Sequence, residues 1–289
     1  MKFYKVFIEI TNICGLKCSF CPTKELNNQI MDLITFEKIV SQLPIFTKEV
    51  ALHIMGDPLV LSNLEKYLNI IYKYNLKALI TTSGYFISNH KLKSLMHPSI
   101  KQINISLNSF NKNDISISLD EYLEPIFKLI EYKRDNKIDK FINLRIWNLD
   151  EGMSEIEFNR EVFAKISNRL NIELDIDKIY QQNPKNIRLV YKTLLHFDKY
   201  FEWPSLNNQI YGDGSCQGLQ SHFGILSNGV VVPCCLDGDG VMELGNINNS
   251  TIKDILESKK AQSIIDGFKN SKAVEELCRK CSYKDRFKK

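Results

Sequence analysis

The sequence predicts a mixed α/β fold, a partial (β/α)6 TIM-like barrel over residues 1–205 with a small C-terminal β-hairpin/helix domain over residues 206–289. Three observations predict it: strand-like and helix-like segments alternate six times, the strands carry one polar face, and a Gly- and Cys-rich stretch follows Leu206. The strand patterns are Tyr4–Ile10, Glu49–Met55, Leu76–Thr82, Lys101–Asn108, Phe141–Trp147 and Ile172–Asp177. Amphipathic stretches at Thr35–Leu43, Leu61–Asn75, Ser88–Met96, Ser118–Arg134 and Glu155–Leu170 separate them. Strand–helix alternation of this kind favours a parallel sheet with right-handed crossovers, and six such units make an incomplete relative of the eight-unit barrel.

Side chains alternate across a strand with period two. In the fourth pattern Ile103, Ile105 and Leu107 oppose Asn104, Ser106 and Asn108, and in the fifth Ile142, Leu144 and Ile146 oppose Asn143, Arg145 and Trp147. The sixth sets Ile172, Leu174 and Ile176 against Glu173, Asp175 and Asp177. The expectation is that the apolar faces pack on helices and the polar faces line a solvated interior, the alternative being a half-exposed antiparallel sheet. Tyr180–Leu206 is mixed, broken by Pro184 and Pro204. Beyond it, Phe223–Leu226 and Val230–Val232 flank Ser227-Asn228-Gly229 and read as a hairpin. Helices are expected at Ile252–Ser258 and Ala261–Phe268.

The 289 residues suit one or two domains, and 44 % hydrophobic with 25 % charged residues is the balance of a soluble globular chain. No apolar run nears the ~20 residues that span a bilayer, and Met1–Ile10 carries Lys2, Lys5 and Glu9, unlike a signal peptide. A cytoplasmic protein that binds no membrane is expected. The net charge of +4 is mild for a nucleic-acid binder. The basic stretch of Arg279, Lys280, Lys284, Arg286, Lys288 and Lys289 reads as a solvated tail before a phosphate contact.

Eight cysteines are distributed unevenly, three between Cys14 and Cys21 and five beyond residue 215. A reducing compartment disfavours disulfides, so two separate metal sites are the economical reading. Cys14-Gly15-Leu16-Lys17-Cys18-Ser19-Phe20-Cys21 follows the first strand. Three thiolates on one tight loop can hold three irons of a [4Fe–4S] cubane and leave the fourth open. Zinc, which usually takes paired CxxC knuckles, fits a three-cysteine loop poorly.

This CxxxCxφC loop, with Phe20 at the aromatic position, resembles the radical S-adenosylmethionine (SAM) superfamily. The resemblance implies a partial barrel, a [4Fe–4S] cluster held by Cys14, Cys18 and Cys21, and SAM chelated at its open iron. It also implies one-electron cleavage of SAM to a 5′-deoxyadenosyl radical that abstracts hydrogen from a substrate. Met55-Gly56-Asp57-Pro58 resembles the family's GGEP segment, with Met for Gly and Asp for Glu. Asp57 keeps an acceptor but shortens its reach, and an ordinary Gly-Asp-Pro turn is the plain alternative. Thr82-Ser83-Gly84 resembles the TNG turn, Ser106 the serine near SAM, and Arg145 the arginine some members place on the SAM carboxylate. Phe20, Gly56, Asp57, Ser83, Ser106 and Arg145 are thus the cofactor-binding candidates. His53 reads as a satisfied core histidine.

In the C-terminal stretch Cys216, then Gly229 separated by four residues from Cys234, then the CxxC of Cys278 and Cys281, resemble the SPASM/Twitch extension of that superfamily. Seven or so cysteines make a full two-cluster domain, so the resemblance implies one auxiliary [4Fe–4S] cluster on Cys216, Cys234, Cys278 and Cys281. Leu244-Gly245-Asn246-Ile247 before a helix matches the same extension. Spacing alone leaves structural zinc open, and it leaves open whether Cys234 or the adjacent Cys235 is the ligand.

Three functions follow. The favoured one is a radical SAM enzyme, of oxidoreductase or maturase type, that modifies a peptide or protein side chain. The alternatives are modification of a nucleotide, tRNA or small metabolite, and a non-catalytic iron–sulfur or zinc protein. The chain begins at its first strand, so a fused leader-binding domain is not expected. An external one-electron donor of flavodoxin or ferredoxin type and a monomeric state are expected. Glu9, Asp175 and Asp177 are the weak candidates for a substrate-side acid or base.

Overall fold

A computed structural model of the chain describes residues 1–114, 116–149 and 155–287. The described residues form two compact units. The first comprises the described residues within 1–15, 21–78 and 201–287, and the second those within 16–20 and 79–200.

The first unit contains β1 (Lys5–Ile8), β2 (Glu49–Ala51) and the start of β3 (Lys77–Thr82). β1 pairs parallel with β2, Val6 facing Val50. Two helices that touch each other, α1 (Leu33–Gln42) and α2 (Leu64–Lys73), belong to this unit. Asp32 caps α1 by accepting the Ile34 and Thr35 N–H groups, which satisfies donors that a helix start leaves orphaned. The apolar stripe of α1 buries Phe36, Ile39 and Val40, and that of α2 buries Tyr67, Leu68 and Ile71.

The second unit carries the rest of β3, then α3 (Asn89–Leu95), β4 (Ile100–Ser106), α4 (Asn108–Asn111), α5 (Leu119–Asp135), β5 (Phe141–Ile146) and α6 (Ile156–Leu170). A short α7 (Ile176–Gln182) and the antiparallel pair β6 (Asn186–Val190) and β7 (Thr193–Phe197) complete it. Its strand order is β3-β4-β5-β7-β6, with β4–β5 and β5–β7 parallel. Ser118 and Glu121 form a reciprocal capping box at the start of α5.

The sixth predicted strand is corrected. Ile172–Asp177 is not a strand, and the place beside β5 belongs to β7. Asn171 takes a left-handed conformation (φ 52°) and ends α6. Asp175 then caps α7, its carboxylate accepting the Lys178 N–H at 3.0 Å. Glu173, Asp175 and Asp177 are exposed, so they do not face a barrel interior. Six alternating residues suit a strand, but a capping aspartate three residues ahead of its N–H partner suits a helix start equally, and Ile176 with Ile179 supplies the apolar spacing. The fourth strand also stops early: Asn108 begins α4.

On β4 the polar and apolar faces are separated as expected, but Asn104 on the polar face is buried among protein partners rather than solvated. Asn104 on β4 accepts from Asn143 of β5 (3.1 Å) and from Gln102 (2.7 Å), and donates to Thr81 (3.2 Å). A Cβ built on Gly84 would touch both Ile105 and Ile126, so the opposite face of β4 lies toward α5.

The C-terminal segment lies in the first unit. β8 (His222–Ile225) pairs parallel with β1 over four residues and antiparallel with β9 (Val230–Val232), which pairs with β10 (Gly245–Asn246). The hairpin turn closes with the Gly229 N–H donating to Leu226 O and φ +84° at Gly229, a value that glycine takes without steric cost. Two helices follow, α8 (Ile252–Leu256) and α9 (Lys259–Lys269), then α10 (Glu276–Arg279). The basic tail is not freely solvated: Lys284 is buried and Arg286 lies over the Tyr283 ring at 4.8 Å, while Lys288 and Lys289 fall outside the described residues. Among the described residues no helix is long and apolar enough to cross a membrane.

Candidate functional site

The segment that leads from β1 into the cysteine loop is held by polar contacts rather than by regular structure. Thr11 Oγ1 donates to Gln29 O (3.0 Å) and accepts the Ile13 N–H (3.1 Å). Asn12 donates to Asn27 O (2.8 Å) and accepts the Gln29 N–H (2.7 Å). These contacts fix the backbone that delivers Cys14.

The segment after β2 locks onto the same backbone. The Asp57 N–H donates to Ile13 O at 3.1 Å, and a Cβ on Gly56 would lie 2.1 Å from Thr11 O. Only glycine permits that approach. The Asp57 side chain is buried and caps the short 3-10 turn Pro58–Val60 by accepting the Leu59 N–H at 2.9 Å. Met55, which stands where the resembled motif has glycine, meets a glycine elsewhere: a Cβ on Gly238 would come within 2.7 Å of the Met55 sulfur.

Glu9 does structural work here. It is fully buried; its carboxylate accepts the Met55 N–H (3.0 Å), the Ser227 N–H (3.3 Å) and the Ser227 hydroxyl (2.9 Å). Burial pushes this carboxyl above the usual range, and those donors oppose the rise. The residue therefore ties the segment after β2 to the hairpin turn of β8–β9, each of its oxygens accepting a bond there. Glu9→Gln should destabilise the fold by about 1–3 kcal/mol, because its amide would point a donor at another donor. Thermal unfolding measures this, and an unchanged midpoint would remove Glu9 from that role.

In the second unit, residues 16–20 lie against the segment after β4. The Lys17 N–H donates to Asn113 Oδ1 (2.7 Å), Asn113 Nδ2 donates to the Cys18 sulfur (2.9 Å), and the Ser19 N–H donates to Lys112 O (3.0 Å). The Phe20 ring sits 5.7 Å from that of Tyr200. Tyr200 donates to Glu155 (3.2 Å), which also accepts from Asn111 (2.9 Å) and Asn148 (2.5 Å) and pairs with Lys112. Burial pushes the Glu155 carboxyl up, but Lys112 and the two amides outweigh it and hold it below the usual range. Burial and the neighbouring Glu155 push the Tyr200 hydroxyl up. Sequence reading missed Asn113, Glu155 and Tyr200; lone polar residues on loops carry no periodic signal.

The Thr82-Ser83-Gly84 turn is closed by the Gly84 N–H donating to Thr82 Oγ1 (3.1 Å), and Tyr122 donates to Ser83 O (2.5 Å). Ser106 and Arg145 are register partners, and Arg145 is in turn the partner of His196 on β7. The three form a row across β4, β5 and β7, with the Arg145 guanidinium 5.1 Å from the Trp147 ring. Burial, then the charge of Arg145, pushes the His196 imidazole below its ordinary value. His196 was missed with its strand, although Thr193, Leu195 and Phe197 alternate as buried residues along it.

The C-terminal cysteines act on one another electrostatically. Burial pushes the Cys234 thiol well up, and the neighbouring Cys235, Cys216 and Cys278 push it further. Cys278 is raised by burial, then by Cys216 and Cys281, and Cys281 by burial and Cys216. A cation that took these thiols as thiolates would remove that repulsion. Lys284, buried beside them, donates to Cys281 O at 2.9 Å and favours the charged forms of Cys216 and Cys281. Among the described residues no three His, Cys, Asp or Glu side chains form a ready grip for one metal ion. The donor type, soft and desolvated sulfur, suits a cluster.

Two family models match the chain: the radical SAM superfamily over residues 8–158, and SPASM, an iron–sulfur cluster-binding domain, over residues 216–282. The chain belongs to the radical SAM superfamily. Its cofactors are accordingly [4Fe–4S] clusters and SAM. It is 33 % identical over 165 residues to the GTP 3′,8-cyclase of Aquifex aeolicus (strain VF5), covering 52 % of this chain and 51 % of that one. It thus spans about half the length of the curated relatives it matches. The fold is similar to that of BtrN, whose structure holds AdoMet and 2-DOIA (TM-score 0.63, 18 % identity, 98 % of this chain and 94 % of BtrN). It is also similar to Streptococcus suis SuiB bound to its precursor peptide SuiA (TM-score 0.62, 17 % identity, 100 % of this chain and 73 % of SuiB). This radical SAM chain therefore has the expected open, mixed α/β fold.

Proposed function

We propose that this chain is a radical SAM enzyme in which Cys14, Cys18 and Cys21 hold the SAM-binding [4Fe–4S] cluster and Cys216, Cys234, Cys278 and Cys281 hold an auxiliary one. The observation that carries the reading is the Cys18 sulfur accepting a hydrogen bond from Asn113 within a motif loop whose backbone is pinned on both sides. When bound and reduced, the first cluster would supply the electron that cleaves SAM and releases a 5′-deoxyadenosyl radical for hydrogen abstraction. The chain's own residues position and exclude. Gly56 lets the segment after β2 close on the loop, Ser83, Ser106 and Arg145 offer polar contacts to SAM, and Phe20 with Tyr200 covers the loop with aromatic surface. Residues 1–205 would form the catalytic part and 206–289 the auxiliary part. An external flavodoxin- or ferredoxin-type protein would deliver the electron.

For substrate, a peptide or protein side chain is the first reading, supported by the fold shared with peptide-bound SuiB. A small molecule is the second, favoured by the near-equal extent of this chain and BtrN, whose structure holds a small ligand. The anaerobically reconstituted protein, reduced with dithionite in the presence of SAM, should release 5′-deoxyadenosine and contain about eight irons. No 5′-deoxyadenosine from protein with verified clusters would reject the reading. Stimulation of that release by peptide pools or by polyhydroxylated small molecules and nucleotides separates the substrate classes.

A further inference from the structure

We propose that Asn113 is a positioning residue that holds the Cys18 sulfur and raises the reduction potential of the cluster bound there. The inference rests on the assignment of Cys18 as a cluster ligand made above.

Asn113 follows α4 and spends its whole side-chain amide on this loop and its support. Its Nδ2 donates to the Cys18 sulfur (2.9 Å) and to Ser109 O (2.7 Å), and its Oδ1 accepts the Lys17 N–H (2.7 Å). The orientation is therefore fixed. A flipped amide would set its oxygen against Ser109 O and its NH2 against the Lys17 N–H, losing all three bonds. The neighbouring residue completes the grip, since Lys112 O accepts the Ser19 N–H at 3.0 Å. Three successive loop residues, Lys17, Cys18 and Ser19, are thus read by two successive residues of another segment.

That segment is itself braced. Lys112 pairs with the buried Glu155, whose carboxylate also receives Asn108, Asn111, Asn148 and Tyr200. Bonds that converge on one buried carboxylate constrain one another. Asn113 consequently presents its N–H to the sulfur from a fixed support rather than from a free loop.

An N–H aimed at a thiolate draws electron density from the sulfur and stabilises the more negative, reduced cluster. Hydrogen bonds to cluster sulfurs are one of the determinants of iron–sulfur potential. The consequence is specific to the cluster on Cys18. Only that one should change its electron paramagnetic resonance signal when SAM is added, which distinguishes it from the auxiliary cluster in the same sample.

The test uses the full-length reconstituted protein, wild type, Asn113→Ala and Asn113→Asp. Iron content is measured first, then the midpoint potential of the SAM-sensitive signal by redox titration. Both variants should titrate at more negative potential than wild type, Asp more so because it adds charge as well as removing the donor. The auxiliary signal should not move. Selective loss of the SAM-sensitive cluster, with the auxiliary one retained, would also support the positioning role. Full loading with an unchanged potential in both variants would overturn it. Failure of the wild type itself to assemble a SAM-sensitive cluster would instead reject the functional assignment on which the inference rests.

Discussion

Gly56→Ala is expected to abolish assembly of the SAM-binding cluster and, with it, 5′-deoxyadenosine release. A Cβ at this position would lie 2.1 Å from Thr11 O, 2.8 Å from Thr11 C and 2.9 Å from Ile13 O. All three obstacles are backbone, in the stretch that delivers Cys14, so no side-chain rotation relieves the clash. Either the segment after β2 or the entry to the cysteine loop must shift. The Asp57 N–H to Ile13 O bond and the Thr11 contacts that define the loop would be lost with that shift. Overpacking of a filled site costs about 1–3 kcal/mol and at times more, enough to be seen as a lowered thermal midpoint. Iron should fall from about eight per chain to about four, the auxiliary four remaining. The check is iron content with a SAM-dependent spectroscopic signal. Wild-type loading and turnover in this variant would mean that the loop tolerates the displacement and that Gly56 is an ordinary turn residue.

The first cysteine motif and most strand–helix elements were legible because their signals are local. Cys14, Cys18 and Cys21 are eight residues end to end, and the alternation in Phe141–Ile146 repeats without interruption. The sixth strand was misplaced because Ile172–Asp177 and Thr193–Phe197 both alternate, and nothing within either stretch says which one pairs with β5. That choice is made by the left-handed Asn171 and by the capping bond of Asp175, two single-residue events. Glu9 was read as a possible acid or base because an ionisable residue at the end of an apolar strand is conspicuous. Its partners, Met55 and Ser227, lie 46 and 218 residues away, so its structural role could not be seen locally. Asn113 escaped notice for the same reason, its sulfur partner lying 95 residues earlier.

The second large effect concerns the adjacent pair Cys234 and Cys235. Cys234→Ala should remove the auxiliary cluster, whereas Cys235→Ala should keep it. Both residues are half-buried, so exposure does not separate them. The motif spacing does: Cys234 completes the GxxxxC count from Gly229, one residue short of Cys235, and the Cys235, Cys216 and Cys278 thiols all push the Cys234 thiol up. Loss of one thiolate would leave the proposed cluster with an incomplete ligand set, open to solvent and oxidation. Lys284 would then face Cys216 and Cys281 with less negative charge to balance its own, a costly state for a buried ammonium. The C-terminal segment contributes β8 to the sheet beside β1, so the damage should spread to the whole first unit as a lowered unfolding temperature. In Cys234→Ala iron should drop to about four per chain with the SAM-sensitive signal intact, and in Cys235→Ala it should stay near eight. The reverse pattern would transfer the ligand assignment to Cys235. Zinc in place of iron at the retained site, found by elemental analysis of the wild type, would replace the auxiliary cluster with a structural tetrathiolate ion.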